Sequence, residues 1–398
     1  LNGFEHTVAD PDGFDITLGI EEEFFLVDPE SRDLVADPDP AIFAACEQVA
    51  GPHKVVQEFL RSQIETNTRV CTSLADLRES LIETRRLVIE AAARYGVSVM
   101  AASTHPFAKW QAQAATPKER YRRFEITFQD SVRQFLVGGM HVHAGFGDGD
   151  SRIRVMTAMR RYLPLLHALA ASSPFSGGRE TGFKSSRLNL IGMLPRTSLP
   201  PPLHSRREYE ALVEGYRSLD FIQDGSELWW DIRPSTSYPT VEMRICDVCT
   251  RVEDALCVAA LYACLIRRLH REYLEGRLPP EPATELLAEN RWVASRYGVL
   301  AFFGDIESGG RQDIDDFATG LVADLREDAR ALDCEAELQR VTGIIREGTA
   351  ADRQIDLFRL RRLEGDGDEE ALRAVVDLAL AETREGVFGN GRKPPLVD

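Results

Sequence analysis

Polar and apolar residues alternate with a period of two in four stretches of the chain, which predicts four strands with one polar face each. In ITLGIEEEFFLVD, residues 16 to 28, Glu21 and Glu23 share one side of an extended strand, roughly 6.6 Å apart, and Ile20, Phe24 and Leu26 share the other. Glu22 then falls on the apolar side, where an unpaired carboxylate is costly, so it needs a salt bridge or an edge position. GGMHVHAGF (138–146) sets His141, His143 and Gly145 against Met140, Val142, Ala144 and Phe146. SQIETNTRV (62–70) sets Gln63, Glu65, Asn67 and Arg69 against Ile64, Thr66, Thr68 and Val70, and TVEMRICDV (240–248) sets Glu242 and Arg244 against Val241, Met243 and Ile245.

Elsewhere the period lengthens to that of a helix. In SLADLRESLIETRRLVIEAAARYG (73–96), Ser73 caps with Asp76 three residues on, Leu74, Leu77, Leu81 and Val88 keep helical spacing, and Gly96 ends the run. Helical patterns recur around 117–135, 151–171, 253–276, 313–333 and 369–386, and a short apolar run, VSVMAA, follows the first helix. Strands and helices do not alternate regularly, so the expected class is α+β, one antiparallel sheet backed by helices. No linker divides residues 1–398, which are expected to form a single domain. LPRTSLPPPLH (194–204) reads as an ordered loop, LEGDGDEE (363–370) as a solvated loop and helix start, and residues 389–398 as a mobile tail.

Charge narrows the partners. Asp+Glu 64 against Lys+Arg 47 gives a net charge of −17, which disfavours nucleic acid and anionic membranes. No apolar stretch is long enough to span a bilayer, and the N-terminal acids Glu5, Asp10, Asp12 and Asp15 do not suit a signal peptide. The expected compartment is the cytoplasm. Seven cysteines fit reduced thiols better than a disulfide framework, and Cys246 and Cys249, a CxxC with no second pair, read as packing.

Lysine, the usual solvent-facing filler, is absent from all four polar-faced strands. Carboxylates with an occasional imidazole suit hard divalent ions such as Mg²⁺ or Mn²⁺, and arginines beside them hold phosphate or carboxylate in a two-pronged grip. That combination describes a site for a metal-bound nucleoside triphosphate. Neither a Walker A sequence nor GxGxxG is present, so metals and side chains must grip the phosphates.

At LGIEEEFFLVDP, THPFAKW, GGMHVHAGF, TGFKSSR with LPRTSLPP, WWDIRPSTSYPTVEMRICDVCTRVEDA and ENRWVASRYG, spread in order from residue 18 to about 298, the chain resembles the bacterial carboxylate-amine ligases of the glutamate-cysteine ligase type 2 family. The resemblance implies a glutamine synthetase-like fold, with a curved antiparallel sheet forming a funnel, and an ATP-dependent ligase acting on amino acid and amine substrates. Relatives join glutamate to cysteine. It further implies metal ligation by Glu21, Glu23, Glu58, Glu65, His141 and Glu242, and contacts to phosphate or substrate carboxylate from Arg187, Arg233 and Arg244. His143, Arg291 and Arg296 would contact the nucleotide, and a homodimer or larger assembly is expected. Glu58 and Glu65 lie an odd number of positions apart, so a turn or bulge must intervene if both are ligands.

Two other readings compete: a non-catalytic nucleotide- or metabolite-binding protein on the same fold, and a metal-dependent hydrolase. The second lacks a second histidine strand, since His167, His204 and His270 fall in helix- or loop-like contexts. Trp229 and Trp230 read as core and sheet edge, and His105 as either a site residue or part of an ordered turn before a helix. Arg353 and Gln354, in a late helix, are fainter candidates.

Overall fold

The 16–28 pattern forms the central strand of a wholly antiparallel sheet, in a computed structural model that describes residues 13–305 and 308–388. Glu5, Asp10, Asp12 and the 389–398 segment lie outside the described residues. The strands are β1 (Thr17–Val27), β2 (Lys54–Gln57), β3 (Gln63–Asn67), β4 (Ser98–Met100), β5 (Met140–Gly145), β6 (Ile232–Pro234) and β7 (Thr240–Met243). They pair in the order β6–β7–β5–β1–β3–β2, with β4 along the last residues of β1. The four strands expected from alternation are therefore consecutive in the sheet. Their polar faces merge into one surface.

Behind that surface Leu18, Ile20, Phe24, Leu26, Ile64, Val142 and Val241 enter a core shared with the helices Leu74–Ala93 and Val252–Leu274. The first of these helices is capped as expected, Ser73 accepting from the Asp76 amide. Glu22 lies on this apolar side and meets Arg85 from the same helix. Nε donates to Oε2 at 2.9 Å and Nη2 to Oε1 at 2.5 Å, both side chains fully buried. Arg85 gives two further donors to backbone, Nη2 to the Cys249 carbonyl and Nη1 to the Thr250 carbonyl, each at 2.8 Å. A salt bridge, not an edge position, accounts for the middle glutamate.

The sheet curls around its polar face. In a flat sheet β2 and β7 would stand four strand spacings, roughly 19 Å, apart. Yet Lys54 Nζ on β2 donates to the Tyr238 hydroxyl, in the turn between β6 and β7, at 2.8 Å. Strand spans are shorter than the sequence suggests. The 240–248 segment leaves the sheet after Met243 because the Arg244 and Ile245 amides both reach the Asp231 carbonyl, at 2.8 and 3.0 Å, a two-against-one arrangement of the kind that ends regular pairing. Arg69 turns away to Asp76 and Ser80.

Three expected helices are broken. The 117–135 pattern splits at Gln129, whose φ is 48°, into Glu119–Phe128 and Asp130–Arg133. The 151–171 pattern divides into Gly149–Met159 and Leu163–Leu169, and the 313–333 pattern into Ile314–Asp324 and Arg326–Ala331. All seven cysteines are buried and unbridged, Cys246 and Cys249 within the core. Among the described residues no helix is long and apolar enough to cross a membrane.

Candidate active site

Strand register brings the polar residues together. Glu21 pairs with His141, His143 with both Gly19 and Glu242, and Glu23 with Glu65. Glu58 follows β2 directly, in the connection that turns the chain back into β3, so it reaches the same face as Glu65 despite the odd spacing. Two groups result, Glu21, His143 and Glu242, and Glu23, Glu58 and Glu65. Within each, candidate donor atoms lie within 4.8 Å of one another. His141 stands between them, with Nδ1 3.1 Å from Glu21 Oε2 and Nε2 3.9 Å from Glu23 Oε1. The register thus seats His143, expected at the nucleotide, among carboxylates.

The two groups differ electrically. Glu242 is gripped by Arg233, Nε to Oε2 at 3.0 Å and Nη2 to Oε1 at 3.2 Å, and also receives Arg244. Burial works against its charge, but the two arginines prevail and hold its carboxyl well below the usual range. Among the described residues no arginine grips Glu23 in this way, and the more distant Arg187 and Arg244 lower it less than burial raises it. Burial and the neighbouring Glu58 carboxylate push it up to about 8, and Glu65 is raised by the same causes. His141, buried and close to Arg244, is pushed down to about 4 and is neutral at pH 7, and its Nε2 has no hydrogen-bond partner among the described residues. Three converging carboxylates and an orphaned imidazole nitrogen fit a hard divalent cation.

This geometry gives a measurable pH dependence. For Glu23 the folded pKa is raised, so stability is fully present below the unfolded value of about 4.5 and is lost as pH rises towards about 8, and Glu65, also raised, acts in the same direction. Chelated protein should lose melting temperature across that window, and Mg²⁺ should restore it with a shift that widens as pH rises. A shift independent of pH would contradict the cluster.

Arg187 begins a short helix, Arg187–Ile191, with Nη1 pinned on the carbonyls of Arg244, Ile245 and Cys246 at 3.1–3.4 Å. Asp247, missed in the sequence, fixes this helix start. It accepts from the Ser172 amide and the Ser173 and Ser185 hydroxyls, and Ser173 Oγ accepts the Arg187 amide. Gly139, whose amide donates to Glu23 at 2.7 Å, sits against the same guanidinium. A Cβ there would overlap Arg187 Nη2 and stand 3.0 Å from His141 Nε2. Gly139→Ala should fold but lose about 10²-fold in turnover by displacing Arg187. A loss smaller than about threefold would show that Arg187 tolerates the shift.

Part of this constellation lines a cavity of about 320 Å³, whose lining does not include His143 or Glu242. The sheet provides the floor, with Glu21, Glu23, Glu65 and His141, joined by Glu58, Arg187, Arg233 and Arg244. Helix Glu119–Phe128 overhangs it with Arg120, Tyr121 and Phe124, which no sequence signal marked because their contact with the cavity depends on how the helix docks. Asp231 also lines it, and the D-x-R spacing to Arg233 could have flagged it. Arg291 does not reach the cavity: its Nε and Nη2 hold Asp231 at 2.6 and 3.0 Å. Arg296 lies over the Tyr297 and Phe183 rings, away from the cavity lining. His105 serves a turn, its Nε2 2.9 Å from the Arg32 carbonyl and its Nδ1 accepting from Phe107 and Ala108. Trp230 is core, whereas Trp229 is a half-buried cavity wall. Arg353 bonds Glu382, and Gln354 bonds the Ser172 carbonyl.

A family model described as glutamate-cysteine ligase family 2 (GCS2) matches residues 17–377. A Rhodospirillum rubrum protein bearing the name "Putative glutamate--cysteine ligase 2" is 44% identical over 374 residues, 92% of this chain and 95% of its own. A Paracoccus denitrificans protein of the same name is 39% identical over 375 residues, 93% and 98% of the two chains. Among solved structures, glutamate–cysteine ligase from Francisella tularensis in complex with AMP matches with a TM-score of 0.68 at 12% identity, over 94% of this chain and 90% of that one. The shared architecture is the glutamine synthetase-like α+β fold. By a sequence match that runs from the first strand of the sheet into the last described helix, the chain belongs to glutamate-cysteine ligase family 2.

Proposed function

We propose that this chain is an ATP-dependent carboxylate-amine ligase that works through an acyl phosphate, with L-glutamate as donor and cysteine, the acceptor named for its relatives, as the reference amine. The observation that carries this reading is the cavity floor, where Glu23, Glu58 and Glu65 of one acid-rich group and Glu21 of the other adjoin Arg187, Arg233 and Arg244. A carboxylate and a triphosphate repel one another. Bound Mg²⁺ or Mn²⁺, held by Glu23, Glu58 and Glu65 and by Glu21, His143 and Glu242, would screen that repulsion.

The chain's own groups would do the rest. A donor carboxylate oxygen attacks the γ-phosphorus and the bond to ADP breaks. The amine then attacks the acyl carbon, phosphate leaves with the carbon–oxygen bonding pair, and the nitrogen gives up a proton. Arg187 is suited to the oxyanion of the second step, because its buried Nε has no hydrogen-bond partner among the described residues. Arg244 and Arg233 are fixed by Glu242 and need no reorganisation to present positive charge.

Nucleotide product release with Mg²⁺, ATP and L-glutamate, with and without amine, tests the reading. Amine-dependent ADP and phosphate, with a new amide by mass spectrometry, is expected. AMP in place of ADP would overturn the acyl phosphate, and ATP binding without turnover across an amine panel would favour a binding protein on this fold.

A further inference from the structure

The carboxylate floor accounts for only part of the cavity. Its walls come from outside the sheet and include Phe59, Tyr121, Phe124, Phe135, Ile191 and Trp229, each half-buried, so part of their apolar surface is left uncovered by protein. The rings are set edge to face, Tyr121 against Phe59 at 5.5 Å between centres and Phe124 against Trp229 at 5.6 Å, which makes a firm aromatic corner. Helix Glu119–Phe128, which carries Tyr121 and Phe124, has no fully buried residue. Its Tyr121 and Phe124 face the cavity instead of entering the core. At the rim Arg120 stands over the Phe124 ring at 5.4 Å. The one acidic residue among the described cavity lining outside the carboxylate groups, Asp231, has both oxygens occupied by Arg291.

Apolar walls with few polar groups select a ligand by shape and buried apolar area. Glutamate carries charge at both ends and cannot cover them. Cysteine offers one methylene and a thiol, too short to span six side chains. We infer that the acceptor amine carries an apolar substituent of aryl or branched-aliphatic size that lies against Phe59, Tyr121, Phe124, Ile191 and Trp229, with its nitrogen directed to the floor. The inference rests on the ligase reading and names the substrate class of that site.

The test compares 2-phenylethylamine, 3-methylbutylamine and L-cysteine as acceptors, with ATP, Mg²⁺ and L-glutamate, and measures 2-phenylethylamine binding by calorimetry without ATP. A kcat/KM for 2-phenylethylamine about tenfold or more above that for L-cysteine is expected, with Phe124→Ala reducing it about tenfold and leaving the KM for ATP unchanged. The helix has no buried residue to lose, and circular dichroism checks that the variant folds. Preference for L-cysteine would overturn the inference while the ligase reading stood. Binding of 2-phenylethylamine that Phe124→Ala weakens, with no ADP released by any amine, would sink the ligase reading and keep the apolar amine seat. Absence of 2-phenylethylamine binding, or a Phe124→Ala defect that falls on the KM for ATP, would overturn the inference, the latter by giving the wall to the nucleotide base.

Discussion

Glu23→Gln should lower ATP turnover at least about a hundredfold, since even groups one shell removed from a metal are worth roughly 10–100-fold, and should leave the fold intact. The amide keeps the size of the side chain and can still accept from Gly139, but it withdraws one charged donor from the group formed with Glu58 and Glu65. The variant should also melt higher than the parent in chelator at pH 8, because a neutral amide escapes the burial cost and the Glu58 repulsion that push Glu23 up to about 8 in the metal-free protein. Loss of turnover together with that gain marks a functional carboxylate. Turnover within tenfold of the parent would remove Glu23 from the metal site. Glu242→Gln is a less clean probe: it too should abolish turnover, but it strips Arg233 and Arg244 of their carboxylate partner and should cost stability.

One residue earlier the balance reverses. Glu22→Ala should destabilise the protein by about 3–5 kcal/mol, the usual cost of leaving one member of a buried ion pair alone. Arg85 would remain fully buried, bonded to the Cys249 and Thr250 carbonyls but without a counter-charge. Glu22→Leu with Arg85→Met should recover much of the loss, because well-packed apolar replacements of buried pairs are often neutral or better. Recovery should stay partial, since the two carbonyls lose their donor. Denaturant unfolding measures both, and turnover per folded molecule should change little in either. A cost under about 1 kcal/mol for Glu22→Ala would mean that water reaches the pair.

These neighbours separate what a chain states locally from what it states only when folded. Which side of a strand Glu21, Glu22, Glu23, His141, His143, Glu65 and Glu242 occupy follows from the two-residue pleat, a property of the backbone itself, so the sequence by itself determined the polar face and its acids. It also carried the capped helix at Ser73 and the antiparallel α+β class. The tertiary structure decided the partners. Glu58 reaches Glu65 only because the chain turns between β2 and β3, and Glu22 is neutralised only because helix Leu74–Ala93 lays Arg85 beneath β1. Arg291 looked as free as Arg233 in sequence, yet Asp231, sixty positions away, holds it out of the cavity. The apolar wall was illegible for the same reason, being assembled from five separate stretches of chain. Side-chain direction is set by the adjacent peptide units, whereas pairing of charges and closure of a cavity depend on contacts between residues distant in sequence, which no local pattern encodes.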